Sequence, residues 1–179
     1  SMGHRKRLRQ ALEGDAPAKP EREEQRRQVT IFFCDLIGST EMATRFDAED
    51  MSEIYERYHS HVQRIIEKHG GRSLFTQGDG IVACFGYPKA SENDAERAAM
   101  AALAISSSVP DLKFGTDLAL HTRIGLATGR VFVRGNVEES SALVGDTLNL
   151  ASRLQDAAPA DGVVVGKTTM RLIERSAKV

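Results

Sequence analysis

Cysteine is scarce in this sequence: Cys34 and Cys84 are the two in 179 residues, each embedded in an apolar, strand-like run. That number and setting exclude a disulfide framework and a cysteine-based zinc site, and they suit a reducing cytosol, the expected location. Neither cysteine has a cationic neighbour of the kind that activates a thiol nucleophile, so both are read as core residues. Charge of one sign is lacking too. Lys and Arg total 24 against 25 Asp and Glu, a net charge of −1. Such a balance gives no general footprint for nucleic acid or an anionic membrane, and an anionic ligand must be held locally. No stretch approaches the ~18–20 apolar residues of a membrane span, and no apolar run follows the basic start as a secretory signal requires. Proline is limited to five residues and 41% of the chain is hydrophobic, which excludes collagen-like or wholly disordered composition. A P-loop, a Gly-x-Ser-x-Gly elbow and a Gly-x-Gly-x-x-Gly after the first apolar run are all missing.

What is present has the size of one domain, which commonly spans ~100–200 residues, plus a short appendage. Residues 1–27 mix Arg5, Lys6, Arg7, Arg9, Arg26 and Arg27 with Glu13, Glu21, Glu23 and Glu24, and Pro17 and Pro20 interrupt them. This composition predicts a short helix over 5–13 and then a linker, serving as a solvated tail or as a dimerising lead-in. A folded domain is expected over 28–179. Residues 29–36 read as a strand buried on both faces. Met51, Ile54, Tyr55, Tyr58, Val62, Ile65 and Ile66 form the stripe of an amphipathic helix, with Asp47 as its N-cap and Gly70 as its stop. Residues 72–77 and 81–85 read as a hairpin around Asp79-Gly80. A second, alanine-rich helix follows over 93–107. Residues 118–126 and 130–133 are expected to form a strand pair around Ala127-Thr128-Gly129, then a helix over 146–157, a strand over 162–165 and a helix over 168–174. Hairpins alternating with helices predict an α+β sandwich with a mixed, mostly antiparallel sheet and helices packed on it.

Two carboxylates fall where carboxylates are costly without partners. Asp35 ends the buried strand, and Asp79 tips a hairpin that can lie beside it; two such aspartates make a hard-oxygen site suited to Mg²⁺ or Mn²⁺. Taken singly, Asp79 reads as a turn residue and Asp35 as a strand-end cap. Gly38, Ser39 and Thr40 offer backbone N–H groups that would receive phosphate oxygens if a helix begins there. Asn149 and Arg153 stand four apart and share one helix face, an amide and a guanidinium able to meet sugar and phosphate, or else an ordinary polar surface. His59, His61 and His69 lack metal-ligand spacing and are read as solvated.

Residues 29–40, 77–86 and 144–153 together resemble the three signature blocks of the class III nucleotidyl cyclases, the adenylate/guanylate cyclase catalytic domain. The resemblance runs from about Gln28 to the end of the chain. It implies a ferredoxin-like βαββαβ sandwich, a head-to-tail homodimer and active sites at the dimer interface. It also implies Asp35 and Asp79 as ligands of two divalent ions, Mg²⁺ or Mn²⁺, with the Leu36 carbonyl beside them. Asn149 and Arg153 become the transition-state pair, supplied by the other subunit. The reaction implied is attack of a ribose 3′-hydroxyl on the α-phosphorus of a nucleoside triphosphate, ATP being favoured.

Two positions depart from the family's pattern. Phe75 and Ala142 stand where purine-reading side chains are usual, with Gln77 and Ser141 nearby. Neither can exchange side-chain hydrogen bonds with adenine, and each lost contact lowers base discrimination by about an order of magnitude. Relaxed base choice, or a weakly active nucleotide-binding dimerisation module, therefore stand beside the adenylate cyclase reading. Family members also continue into a last strand pair with a phosphate-binding Lys, which this sequence is expected to lack.

Overall fold

The computed structural model describes residues 25–114, 118–133 and 143–176. The expected helix over 5–13 lies outside the described residues. Two long strands form the spine: β1 (Gln25–Leu36) and β4 (Thr122–Val133). They pair antiparallel along their whole length, from Gln25 opposite Val133 to Leu36 opposite Thr122. β1 starts ahead of its apolar run because main-chain pairing with β4 carries the polar residues from Gln25 to Gln28. On its other edge β1 pairs with β3 (Gly80–Phe85), and β2 (Arg72–Gln77) lies outside β3. The far side of β4 takes a short antiparallel β5 (Leu143–Val144) and a parallel β6 (Gly162–Val165). The path is β2-β3-β1-β4-β5, with β6 beside β4.

Helices α1 (Ser39–Arg45) and α2 (Ala48–Lys68) connect β1 to β2, and α3 (Asp94–Ser108) connects β3 to β4. That is a ferredoxin-like βαββαβ core, as the resemblance implied. Helices α4 (Asp146–Asp156) and α5 (Lys167–Ser176) follow. The Asp47 carboxylate caps α2 by accepting from the N–H groups of Glu49 at 3.0 Å and Asp50 at 2.9 Å, which satisfies two of the helix's orphan donors.

Strand alternation sorts the core into two layers. Phe32, Cys34 and Leu36 of β1, with Ile124 and Leu126 of β4, face α2 and α3 and meet Tyr58, Val62, Ile66 and Ala102. Val29 and Ile31, with Ala127 and Val131, face the other way, against Ala151 of α4. Burying a large side chain such as Phe32 or Ile66, both 0% exposed, contributes about 1.5–3 kcal/mol. The Tyr58 hydroxyl, equally buried, is satisfied by Cys34 Sγ at 3.2 Å.

The strand pair expected around Ala127-Thr128-Gly129 is one unbroken strand. Gly129 pairs with Val29 and continues the β1 ladder; it is a seat for a helix and not a turn. A Cβ on Gly129 would lie 2.4 Å from Thr147 Oγ1, and one on Gly125 would lie 2.3 Å from both the Ala151 carbonyl oxygen and the Gln155 nitrogen. Both glycines point to the same face of β4, so backbone of α4 can rest directly on the sheet. We expect Gly125→Ala to destabilise the domain by about 1–3 kcal/mol through overpacking. Gly166→Ala, at a buried position whose Cβ would meet nothing closer than 3.5 Å, should destabilise markedly less, since no neighbour has to move. Urea unfolding of the two variants measures the difference, and equal losses would contradict the seating role.

Candidate active site

The β1–β3 register ends with Cys34 opposite Ile81, so Asp35 comes level with the turn that carries Asp79. A Cβ on Gly80 would stand 3.2 Å from the Gln77 carbonyl oxygen and 3.9 Å from Asp35 Oδ1, so the turn lies beside that carboxylate. Gly78 holds φ +61° at the turn, a value that favours glycine. The Leu36 N–H donates to Asp79 Oδ2 at 3.3 Å, tying the hairpin tip to the end of β1. The two aspartates that the sequence singled out are therefore neighbours, held by backbone on both sides.

Their charges are poorly compensated. Burial, followed by the hydrogen bond and negative charge of Asp79, pushes the Asp35 carboxyl up to about 7; Arg123 and the Leu36 N–H act in the opposite direction. Arg123 stands across the ladder from Asp35, with Nη2 at 3.9 Å from Oδ2, which is too long for a strong hydrogen bond. Its Nε is enclosed and has no partner among the described residues. No cluster of three or more His, Cys, Asp and Glu able to hold a metal occurs among the described residues. The donor set fits a hard divalent cation nevertheless: two adjacent carboxylates with an unmet demand for positive charge, leaving coordination positions for water or ligand oxygens.

Gly38 takes a left-handed conformation, φ 73°, and α1 starts at Ser39, so the Gly38-Ser39-Thr40 stretch does open a helix, one of seven residues. Phe75 lies half-buried in β2, among the partly buried side chains around Val82 and Cys84. A register shift between Ser73 and Phe75 leaves Leu74 as an extra residue on β2, a bulge with no signature in the sequence. Gln77 is exposed at the end of the strand. Ala142 and Ser141 lie outside the described residues.

Asn149 and Arg153 share the solvent side of α4, and the Arg153 Nε donates to the Asn149 carbonyl at 3.3 Å. An open cleft there is lined, among the described residues, by Asn149, Ser152 and Arg153, and neither Asp35 nor Asp79 is part of that lining. The histidines are not simply solvated. His61 Nε2 meets Ser108 Oγ at 2.8 Å and His69 Nδ1 meets the Ile65 carbonyl at 2.8 Å. His59 stacks on Tyr55, and burial lowers its pKa against the pull of Asp79 and the Asp79 and Gly78 carbonyls. Tyr55 has its pKa raised by burial and then by Asp79 and Asp35. Tyr55 and His59 thus back the hairpin tip from α2. Sequence reasoning missed them and Arg123; for Arg123 the usable signal was its place next to a polar residue in an otherwise apolar strand.

Comparison with known proteins gives the family. Residues 21–179 match the family model described as the adenylate and guanylate cyclase catalytic domain. An adenylate cyclase of Streptomyces coelicolor is 31% identical over 140 residues, covering 78% of this chain and 32% of that protein. A membrane guanylyl cyclase of Dictyostelium discoideum is 26% identical over 151 residues, covering 83% and 10%. The chain thus spans a third or less of the length of these relatives. Among solved structures, the non-canonical dimeric guanylyl cyclase domain of the RhoGC fusion protein from Blastocladiella emersonii superposes with a TM-score of 0.78 at 29% identity, covering 86% of this chain and 87% of that one. On the match over residues 21–179 and the shared fold, the chain belongs to the adenylate and guanylate cyclase catalytic domain family.

Proposed function

We propose that this domain is an adenylate cyclase that converts ATP to 3′,5′-cyclic AMP and pyrophosphate in a homodimer. The adjacent, under-compensated carboxylates of Asp35 and Asp79 carry the reading. In it they hold divalent ions, Mg²⁺ or Mn²⁺, two per active site, with the Leu36 carbonyl beside them. Bound there, the ions would lower the pKa of the ribose 3′-hydroxyl and neutralise phosphate oxygens. The chain's own residues supply position and charge. Arg123, beside Asp35 and without a strong partner, is placed to meet phosphate oxygens, as are the backbone N–H groups around Gly38, Ser39 and Thr40. Asn149 orients the ribose, and Arg153 stabilises the charge that develops on the α-phosphoryl group as the O–P bond to pyrophosphate breaks. Because both are exposed on α4 and line a cleft without the aspartates, they serve the site of the second subunit. The resemblance to a cyclase domain named as a dimer, of a non-canonical kind, supports self-association and leaves the shared site to the complementation test.

A second reading concerns the base. Phe75, half-buried between Leu74 and the end of β2, offers an aromatic face and no hydrogen bond, which favours stacking over discrimination. The chain also resembles adenylate and guanylyl cyclases alike. ATP is proposed as the substrate; GTP or a pyrimidine nucleotide is the alternative.

Three experiments test this. Purified protein incubated with Mn²⁺ or Mg²⁺ and each of ATP, GTP, CTP and UTP should release cyclic AMP and pyrophosphate from ATP fastest. Comparable turnover of another nucleotide establishes the relaxed reading, and no cyclic product from a dimer confirmed by light scattering overturns both.

Asp35→Ala and Arg153→Ala should each lower kcat by about 10²-fold or more. Mixed together they should recover part of the activity, since one of the two hybrid sites keeps both residues. Heterodimers without recovery would refute the shared site.

In chelator, stability should depend on the pH at Asp35. Its folded carboxyl titrates at about 7 against ~3.9 in an unfolded chain. The folded state therefore keeps a proton that the unfolded chain has lost, and this group's contribution is full below about pH 4 and declines as pH rises through about 7. Urea midpoints should fall from pH 5 to pH 8, Asp35→Asn should flatten that fall, and Mn²⁺ should restore stability at pH 8. A wild-type profile no steeper than that of Asp35→Asn would contradict the charge pairing.

A further inference from the structure

A cavity of about 420 Å³ lies between β1, the approach to α3 and the last turn of α5. It is not the nucleotide site: Thr30, in its wall, is five residues from Asp35, so the two point to opposite faces of β1 and stand ~16 Å apart along it. The wall includes two hydroxyls buried in the sheet, Thr30 (1% exposed) and Thr128 (8%). They belong to a chain: Thr30 Oγ1 is 2.8 Å from Thr128 Oγ1, which is 3.0 Å from Thr169 Oγ1.

Three hydroxyls carry three protons, and the two bonds between them use two. Thr169 is 0% exposed and does not line the cavity. If the chain ran toward Thr169, its last proton would be stranded in the core, at the cost of an unmade hydrogen bond. The favoured direction runs from Thr169 through Thr128 to Thr30, and the spare O–H then points into the cavity as a donor. Arg175, exposed on α5, adds a cation to the same lining, while Ala95 and Leu172 add apolar wall. Of the two acidic residues present, Asp94 is already committed, accepting from the Ser91 N–H at 2.7 Å and pairing with Arg97. Glu92 is exposed at the edge, where solvent screens it.

A partly open, mostly apolar volume of this size with a few convergent polar groups has the character of a small-molecule site. We propose that it binds a small amphipathic monoanion, a carboxylate held by Thr30 and Arg175 with a short aliphatic body against Ala95 and Leu172. This inference is independent of the cyclase reading.

Octanoate is a suitable probe, titrated into the whole chain by calorimetry with thermal unfolding in parallel and 1-octanol as the uncharged counterpart. Saturable binding of one octanoate per chain, a raised melting temperature and at least tenfold weaker binding of 1-octanol are expected. Arg175→Gln, at an exposed position, should weaken octanoate about tenfold, as expected for loss of one charge-assisted hydrogen bond, and Ala95→Leu should remove binding by filling the cavity. Asp35→Asn should leave octanoate binding unchanged. No saturable binding, equal binding of 1-octanol, indifference to Arg175→Gln, or loss in Asp35→Asn would each overturn the proposal.

Discussion

The proximity of two carboxylates at the edge of a buried sheet sets the terms for the rest of the structure. Asp35 cannot ionise cheaply beside Asp79 in a half-buried setting, and its carboxyl is held near 7 as a result. Such an arrangement persists only where other interactions enforce it. Here the β1–β3 ladder, the Leu36 N–H and the packing of Tyr55 and His59 behind the hairpin do so. The strain in charge is what makes the pair receptive to a divalent cation, and Arg123 alone does not relieve it.

The same sheet seats the helix that carries the other two residues proposed for the reaction, Asn149 and Arg153. Gly125 and Gly129 let α4 lie directly on β4, and this fixes which side of α4 faces solvent. Thr147, Ala151 and Gln155 are buried, while Asn149 and Arg153 are exposed. A helix seated this closely has little freedom to roll, so the outward amide and guanidinium are presented rigidly. Presentation to a second subunit is the proposed consequence, and it would account for an arginine that lines a cleft without the aspartates.

Much of this was legible beforehand, for identifiable reasons. The stripe from Met51 to Ile66 and the Asp47 cap are local, and they produced the helix expected. Asp35 and Asp79 were visible because carboxylates beside apolar strands are costly without partners. The hairpin at Asp79-Gly80 followed from turn chemistry. Gly129 was misread because a glycine in an apolar run signals a turn as readily as a close approach, and only the position of α4 distinguishes the two. The Leu74 bulge left no trace because it comes from pairing with β3. His61 meets Ser108 and His59 feels Asp79, both distant in sequence and so invisible locally, whereas the His69 contact with the Ile65 carbonyl is made within its own helix.

By itself, the sequence determined the long helices, most of the strands and which carboxylates would be costly, because helix periodicity, capping and turn preferences act over a few residues and the cost of a buried charge is intrinsic to the group. The tertiary structure decided which strands are neighbours, hence that Asp35 meets Asp79 and that Arg123 stands across from Asp35. It also decided that Asn149 and Arg153 lie in a separate cleft and that the three threonine hydroxyls join beneath a cavity. Those outcomes depend on pairing register and on contacts between residues dozens of positions apart, which no local pattern encodes.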